Sequence, residues 1–159
     1  MENSSLPSVL FFGDFPVGKS WDLGQYTFTE KEIVEFANKF DPQSFHIDAD
    51  AAKSSHFKSL IASGWHTCSV IMRMNCDAYL LNSASLGSPG VEEVRWMHPV
   101  RPNDTLSAKT TIIEARKSIS KPDRGLVKFL WSARNQDGIE VITIIGKLFL
   151  KTNPNQLGS

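Results

Sequence analysis

The sequence has few cysteines and no long apolar run. Cys68 and Cys76 are the two cysteines, and both fall in one apolar segment. The opening residues, MENSSLPSVLFF, lack the pattern of an export signal. Two thiols in an apolar segment of such a chain are typical of a reducing interior. No segment approaches the roughly 20 apolar residues that a membrane span needs. We therefore expect a cytoplasmic protein without a membrane partner.

An excess of charge of one sign is also missing. The 17 Lys and Arg residues balance the 17 Asp and Glu residues. Nucleic-acid-binding domains are usually basic, so this balance gives no support for a nucleic-acid partner. A local basic cluster does occur at Arg116, Lys117, Lys121 and Arg124. It has two open interpretations, a site for a small polyanion such as a nucleotide phosphate and the solvated tip of a hairpin.

The chain length and composition indicate one globular domain. A chain of 159 residues, 41% of them hydrophobic, is long enough to bury one core. We expect a single domain over residues 1–159, with its core at about 15–151 and a frayed tail at 152–159.

The first part of the chain predicts a strand followed by a helix. Residues 21–28 are rich in aromatic side chains, as strands often are. Residues 29–32, Thr-Glu-Lys-Glu, are typical of a capping box, in which a Thr hydroxyl and a Glu carboxylate satisfy free backbone amides. The helix should end near Phe40, because Pro42 disfavours helical geometry at Asp41.

The remainder predicts a buried helix and four strands. A short helix is expected at 49–53, capped by Asp48, and a long apolar helix from Ser63 to about Leu81. Asn135–Gly138 is typical of a tight hairpin turn. The strand-like segments are 91–96, 106–116, 126–134 and 139–150, and the third of them alternates, with Val127, Phe129, Trp131 and Ala133 on one face.

This order of elements predicts an α+β domain in which one antiparallel sheet curls around one long helix. That is the hot-dog arrangement. The last strand is apolar on both faces for much of its length, which suggests that a partner chain covers part of the sheet.

The stretch from Phe40 to Thr67 holds the residues best suited to chemistry. Asp41 and His46 lie in the loop after the first helix, and Ser63-Gly64 begins the long helix. The first N–H groups of a helix have no internal partner and carry partial positive charge. A glycine there allows a carbonyl oxygen to come close to the backbone. The pattern favours a carboxylate–imidazole pair beside an oxyanion hole.

These residues resemble the MaoC-like family, the (R)-specific enoyl-CoA hydratases and related dehydratases. The family motif reads roughly Asp-x-Asn-Pro-[Ile/Leu]-His-x-Asp, and Asp41, His46 and Asp48 match it. Ile61-Ala62-Ser63-Gly64 resembles the family's Ile-Ala-His-Gly, and residues 94–106, VRWMHPVRPNDTL, resemble its strand-turn-strand. The resemblance covers about residues 15–150.

The chain departs from the family pattern at several positions. Gln43-Ser44 stand in place of Asn-Pro, and Ser63 stands in place of the histidine before the glycine. Both changes keep the acid/base pair and the glycine amide, so they put the substrate in doubt more than the chemistry. Asn103 replaces a turn glycine, and asparagine tolerates left-handed geometry.

The resemblance implies hydration of a 2-enoyl thioester or dehydration of a 3-hydroxyacyl thioester. Asp41 and His46 would hold the water, and the Gly64 N–H would hold the thioester oxygen. The reaction requires no metal or organic cofactor, and coenzyme A is part of the acyl-CoA substrate. The resemblance also implies a homodimer or a dimer of dimers.

Several further residues are candidates for the pocket. Phe45, Phe57 and Trp65 are expected to shape it. Ser63 is most simply the N-cap of the long helix, with a role in the pocket wall second, and His66 is expected to be structural. The basic cluster is a candidate site for the phosphates of CoA. His56 and His98 carry no supporting pattern.

Two other functions stay open. A thioesterase on the same fold would use a carboxylate to activate water against the thioester carbon, but it has no need of a histidine five residues after the aspartate. A hot-dog subunit without catalytic activity could bind acyl-CoA or serve in an assembly.

Overall fold

A computed structural model describes residues 8–156. The helices are α1 (Glu30–Phe40), α2 (Ser44–Ile47), α3 (Ala49–Lys53) and α4 (Gly64–Ala78). The strands are β1 (Ser20–Thr27), β2 (Val91–Trp96), β3 (Thr105–Lys117), β4 (Arg124–Arg134) and β5 (Glu140–Lys151). This is the predicted order, with α2 added. Four residues beside a proline carry too little periodicity for α2 to be recognised from the sequence.

Local capping explains where the first helices begin. Thr29 Oγ1 accepts the Glu32 N–H, and the Glu32 carboxylate accepts the Thr29 N–H in return, so the predicted capping box is confirmed. Asp48 accepts the N–H groups of Asp50 and Ala51, and thereby caps α3 as predicted. These contacts fix the start of each helix on either side of α2.

The five strands form one antiparallel sheet in the order β1-β3-β4-β5-β2. Its concave face is buried, and the β4 side chains that alternate along it, as predicted, are Val127, Phe129, Trp131 and Ala133. The central helix α4 packs into this face through Val70, Ile71 and Met74, which belong to the same core. A sheet wrapped around a central helix is the hot-dog fold.

Turn residues adopt the conformations that their types favour. Gly24 has φ +78° and lies at an irregularity in the pairing of β1 with β3, which explains a glycine inside a strand. Asn103 has φ +69°, in the left-handed region that asparagine tolerates. Asn135 Oδ1 accepts the N–H groups of Asp137 and Ile139, so the predicted β4–β5 turn is confirmed.

The central helix ends three residues earlier than predicted. Tyr79 leaves helical geometry at φ −154°. Its buried ring stacks on Trp21 with 4.6 Å between ring centroids, and a short turn at Leu80–Asn82 follows. Anchoring of this aromatic ring in the core therefore ends the helix, although the apolar pattern continues to Leu81.

The predicted frayed tail lies partly outside the described residues. Within the described part, Pro154–Gln156 form a short 3-10 turn, and the Thr152 N–H donates to the Asp123 carbonyl. Among residues 8–156, the helices are too short and too polar for any of them to cross a membrane.

Candidate active site

The predicted site residues meet where α1, α2 and α4 come together. Asp41 is the C-cap residue of α1, His46 lies in α2, and Gly64 is the first residue of α4. Because Pro42 stops α1, the chain turns back and α2 places His46 beside Asp41. His46 Nε2 lies 3.2 Å from Asp41 Oδ2. The structure therefore brings together the two residues that the sequence singled out as an acid/base pair.

Hydrogen bonds fix the orientation of the His46 ring. Its Nδ1 lies 2.7 Å from the carbonyl oxygen of Ile61. A carbonyl can only accept, so Nδ1 carries a hydrogen and donates it. That leaves Nε2, which faces the Asp41 carboxylate, as the ring nitrogen that is available to exchange a proton.

The Asp41 carboxylate is held at both oxygens. Gln43 Nε2 donates to Oδ1 over 2.7 Å, and Ser63 Oγ donates to Oδ2 over 2.7 Å. Burial works to raise the pKa of Asp41, but the hydrogen bonds from Ser63 and Gln43, with His46 nearby, outweigh it and hold that pKa below its usual value. Asp41 is therefore a carboxylate at neutral pH.

Ser63 does not act as predicted. It occupies the N-cap position of α4, but its side chain makes no capping hydrogen bond. It is fully buried behind Asp41 and is not among the residues that line the cavity, and a role in the pocket wall stays a prediction. Its hydroxyl instead donates to the Asp41 carboxylate in a charge-assisted hydrogen bond.

Gly64 has a packing role that the sequence did not indicate. A Cβ atom at this position would lie 2.5 Å from Cε2 of Trp96. The indole of Trp96, at the end of β2, therefore takes the space of a side chain. Gly64 and Trp65 are the first two residues of α4, and their N–H groups have no acceptor inside the helix.

One cavity of about 610 Å³ connects these groups. Asp41, His46 and Gly64 line it, as do Phe45, Phe57 and Trp65, which were predicted to shape a pocket. Trp65 is also 58% exposed, so it forms part of the molecular surface. The cavity offers a carboxylate, an imidazole and a helix N-terminus to one ligand.

Sequence reasoning missed several residues of the cavity. Gln43 was noted only as a departure from a motif, yet it holds Asp41. His56 and His98 had no pattern to identify them, because their neighbours in space come from distant parts of the chain. Lining residues that the sequence does not assign to the site include Gln43, His56, Trp96, Met97, His98 and Arg101.

His66 lies behind the cavity and packs against α1. Its ring stacks on Phe36 with 4.7 Å between centroids, and its Nε2 lies 3.5 Å from Glu32 Oε1. Burial lowers the pKa of His66, although Glu32 opposes that effect. These contacts agree with the structural role expected for this histidine.

The basic cluster is far from the cavity within one chain. It lies at and beside the β3–β4 turn, where Lys117 pairs with Gly125. The cavity contacts β5 at Val141, and the register pairs Leu150 with Gly125. Val141 and Leu150 are nine residues apart along β5, and a strand of that length spans about 30 Å. A role of the cluster in binding CoA phosphates stays a prediction, and this distance argues against it within one chain.

Comparison with known proteins places this geometry in a family. The MaoC-like domain family matches residues 14–127. A MaoC-like dehydratase from Rhodospirillum rubrum has 36% sequence identity and a TM-score of 0.86, over 91% of this chain and 99% of that one.

Two more distant structures share the fold. The R-hydratase PhaJ1 from Pseudomonas aeruginosa has 20% identity and a TM-score of 0.73, over 91% of this chain and 88% of that one. RV0216 from Mycobacterium tuberculosis, which has a double hot-dog fold, has 16% identity and a TM-score of 0.76, over 92% of this chain and 46% of that one. The motif match, the hot-dog fold and the agreement over most of the chain lead to one conclusion: the chain belongs to the MaoC-like domain family.

Proposed function

We propose that this protein is a hydro-lyase that adds water across the 2,3 double bond of a 2-enoyl-CoA, or removes it from the (R)-3-hydroxyacyl-CoA. One observation carries the proposal: the Asp41–His46 pair and the Gly64 amide line the same cavity. The family membership and the fold shared with an R-hydratase support the same reaction class.

The pair activates the water. A water molecule held between Asp41 and His46 loses a proton to the pair as its oxygen attacks C3. The pair then returns one proton to C2, so the product gains a hydroxyl and a hydrogen and the thioester stays intact. Positioned acid/base groups of this kind contribute about 10²–10⁴-fold in rate.

The start of α4 stabilises the charge that develops. Attack at C3 moves negative charge to the thioester oxygen, and the Gly64 N–H donates to this oxygen. Removal of one such donor typically costs about 3–4 kcal/mol of barrier. Water and the two side chains balance the reaction, so it needs neither a metal nor an organic cofactor, and CoA enters as part of the substrate.

A hydration assay tests the function. The purified protein is mixed with short, medium and branched 2-enoyl-CoAs, and the loss of the conjugated double bond is followed beside the release of free thiol. We expect loss of conjugation without thiol release. Thiol release would instead indicate a thioesterase, and tight acyl-CoA binding with neither change across the panel would favour a binding subunit.

Ser63→Ala is expected to move the acid limb of the pH profile to higher pH. Activity needs Asp41 as a carboxylate, so the rate falls as the pH drops through the pKa of Asp41. Without the Ser63 hydrogen bond that pKa rises, because this bond stabilises the charged form of Asp41.

The measurement is kcat/KM against pH. Ser69→Ala is the matched control, because the Ser69 hydroxyl lies in the same helix but donates to the Trp65 carbonyl. An unchanged acid limb in the Ser63 variant would mean that Asp41 does not set it.

We also propose that the protein is a homodimer or a dimer of dimers. An apolar groove of about 500 Å³ lies between α4 and the sheet, and β2 forms the sheet edge beside it. An edge strand with free backbone groups beside an exposed apolar surface suits a second copy of the same sheet. Large apolar side chains that are exposed on or next to this groove are Trp65, Met72, Val91 and Trp96.

Sedimentation tests the assembly. We expect a species of at least twice the chain mass of 17.7 kDa at micromolar concentration, and Met72→Glu should shift it toward the monomer by placing a charge in the groove. A wild-type protein that sediments as a monomer would contradict the proposal.

A further inference from the structure

The outer part of the cavity, as formed by residues 8–156, carries basic side chains and no carboxylate. Among the lining residues of the whole cavity, Asp41 is the one carboxylate, and it is engaged by His46. The basic groups that line the same cavity are His46, His56, His98 and Arg101. In the described part of the chain, none of His56, His98 and Arg101 forms an ion pair with a carboxylate. The lining beyond the catalytic pair therefore suits an anion.

Arg101 is held in place with donors to spare. Its Nη1 donates to the Phe57 carbonyl over 3.0 Å and also to Ser59 Oγ. Its backbone N–H donates to Asp104 Oδ2 over 2.8 Å, which fixes the turn that carries it. A guanidinium has five N–H donors, and Nε and Nη2 take no part in these contacts. The side chain is thus oriented by the fold and still able to bind a ligand in a bidentate manner.

A row of aromatic rings connects the catalytic pair with this basic region. His46 contacts Phe45 at 4.5 Å between ring centroids, Phe45 contacts Phe57 at 5.2 Å, and Phe57 contacts His56 at 5.5 Å. His46 is buried, whereas His56 is exposed. The row therefore runs from the buried end of the cavity to its mouth, and Arg101 binds the carbonyl of Phe57 along the way.

We propose that Arg101, His56 and His98 form an anion subsite at the mouth of the cavity, which binds a phosphate of the CoA carrier while the thioester reaches Asp41 and His46. The proposal rests on the proposed function, because it assigns the other end of the same substrate. Phosphate oxygens match the guanidinium fork. A carboxylate at the end of an acyl chain has the same chemistry and is the second source that the experiment separates.

Binding of free CoA tests the subsite independently of turnover. Calorimetry should show that Arg101→Gln weakens CoA binding by about tenfold or more, as expected for loss of a charge-assisted pair. His98→Gln, which leaves the Arg101 contacts to Phe57 and Ser59 in place, should weaken it by a smaller factor. Arg73→Gln is the matched control, because Arg73 is exposed on α4 and pairs with Asp77; it should leave binding unchanged.

Thioesters with different ends identify the source of the anion. KM is compared between the wild type and Arg101→Gln for three kinds of thioester: a 2-enoyl-CoA, the same acyl group on N-acetylcysteamine, which has no phosphate, and an acyl chain that ends in a carboxylate. A rise in the KM of the variant that is confined to CoA substrates supports binding of the phosphate. A rise that occurs with the acyl carboxylate on either carrier overturns that assignment and shows that the acyl chain carries the anion.

Two further results would overturn the proposal. One is unchanged CoA binding in both the Arg101 and the His98 variants, with wild-type thermal unfolding. The other is loss of CoA binding in Lys121→Glu alone, which would place the phosphates on the basic cluster. If the wild-type protein shows no hydration but Arg101→Gln weakens CoA binding, the proposed reaction is contradicted and the subsite is supported.

Discussion

Asp41→Asn is expected to lower the hydration rate by about 10²–10⁴-fold while the fold stays intact. The carboxylate is the proton acceptor of the pair, and an amide oxygen cannot replace it. Asparagine has nearly the same shape and can still accept from Gln43 or Ser63, so the protein should fold, although it loses the stability that the two charge-assisted hydrogen bonds contribute. The hydration rates of the wild type and of Asp41→Asn are measured with the 2-enoyl-CoA of the panel that the wild type hydrates fastest. The thermal unfolding of both proteins is measured in parallel.

Asp48→Asn provides the matched control for this variant. Asp48 caps α3 and does not line the cavity. Asparagine is as good an N-cap as aspartate, so both the rate and the stability should stay near those of the wild type. A wild-type rate in the Asp41 variant would place the chemistry at other residues, whatever the control shows.

Replacement of His46 is expected to have the second large effect, again about 10²–10⁴-fold in rate. Two substitutions separate its catalytic role from its structural one. Asparagine places an amide nitrogen near the position of Nδ1 and keeps the hydrogen bond to Ile61, whereas glutamine reaches toward Asp41 and leaves the Ile61 carbonyl without a partner. Neither amide can accept and return a proton as the imidazole Nε2 does.

The two His46 variants should therefore differ in stability and agree in activity. An unpaired buried carbonyl costs about 1–3 kcal/mol, so His46→Gln should have the lower free energy of unfolding in urea. Both should be nearly inactive. Retention of the wild-type rate in the Asn variant would make His46 a structural residue that serves only to hold the Ile61 segment.

The site depends on two short segments that are packed together. One carries Asp41 and His46 between α1 and α3, and the other carries Ser63 and Gly64 at the start of α4. The hydrogen bond from Ser63 to Asp41 and the hydrogen bond from His46 to Ile61 both cross between these segments. Loss of either contact would allow the distance between the acid/base pair and the Gly64 N–H to vary. The proposed reaction depends on that distance.

Much of the fold follows from local rules. The α1 capping box, the Asp48 cap, the Asn135 turn and the alternation along β4 each depend on residues close in sequence, and the structure confirms all four. The short helix α2 and the early end of α4 were missed. The four residues of α2 show too little periodicity to be recognised, and the end of α4 depends on a contact with a distant residue, the stacking of Tyr79 on Trp21.

The sequence by itself determined the fold class, the family resemblance and the pair of Asp41 and His46, because these depend on periodicity and on spacing within a few residues. Tertiary structure alone decided what surrounds that pair. It turned the Ser63 hydroxyl toward Asp41 instead of its own helix, seated Trp96 on Gly64, and brought Arg101 and His98 to a cavity whose other wall lies about 40–60 residues earlier in the chain. The hydrogen-bond partner of a side chain depends on the distance and charge of the groups around it in the folded structure, and one sequence does not contain those distances.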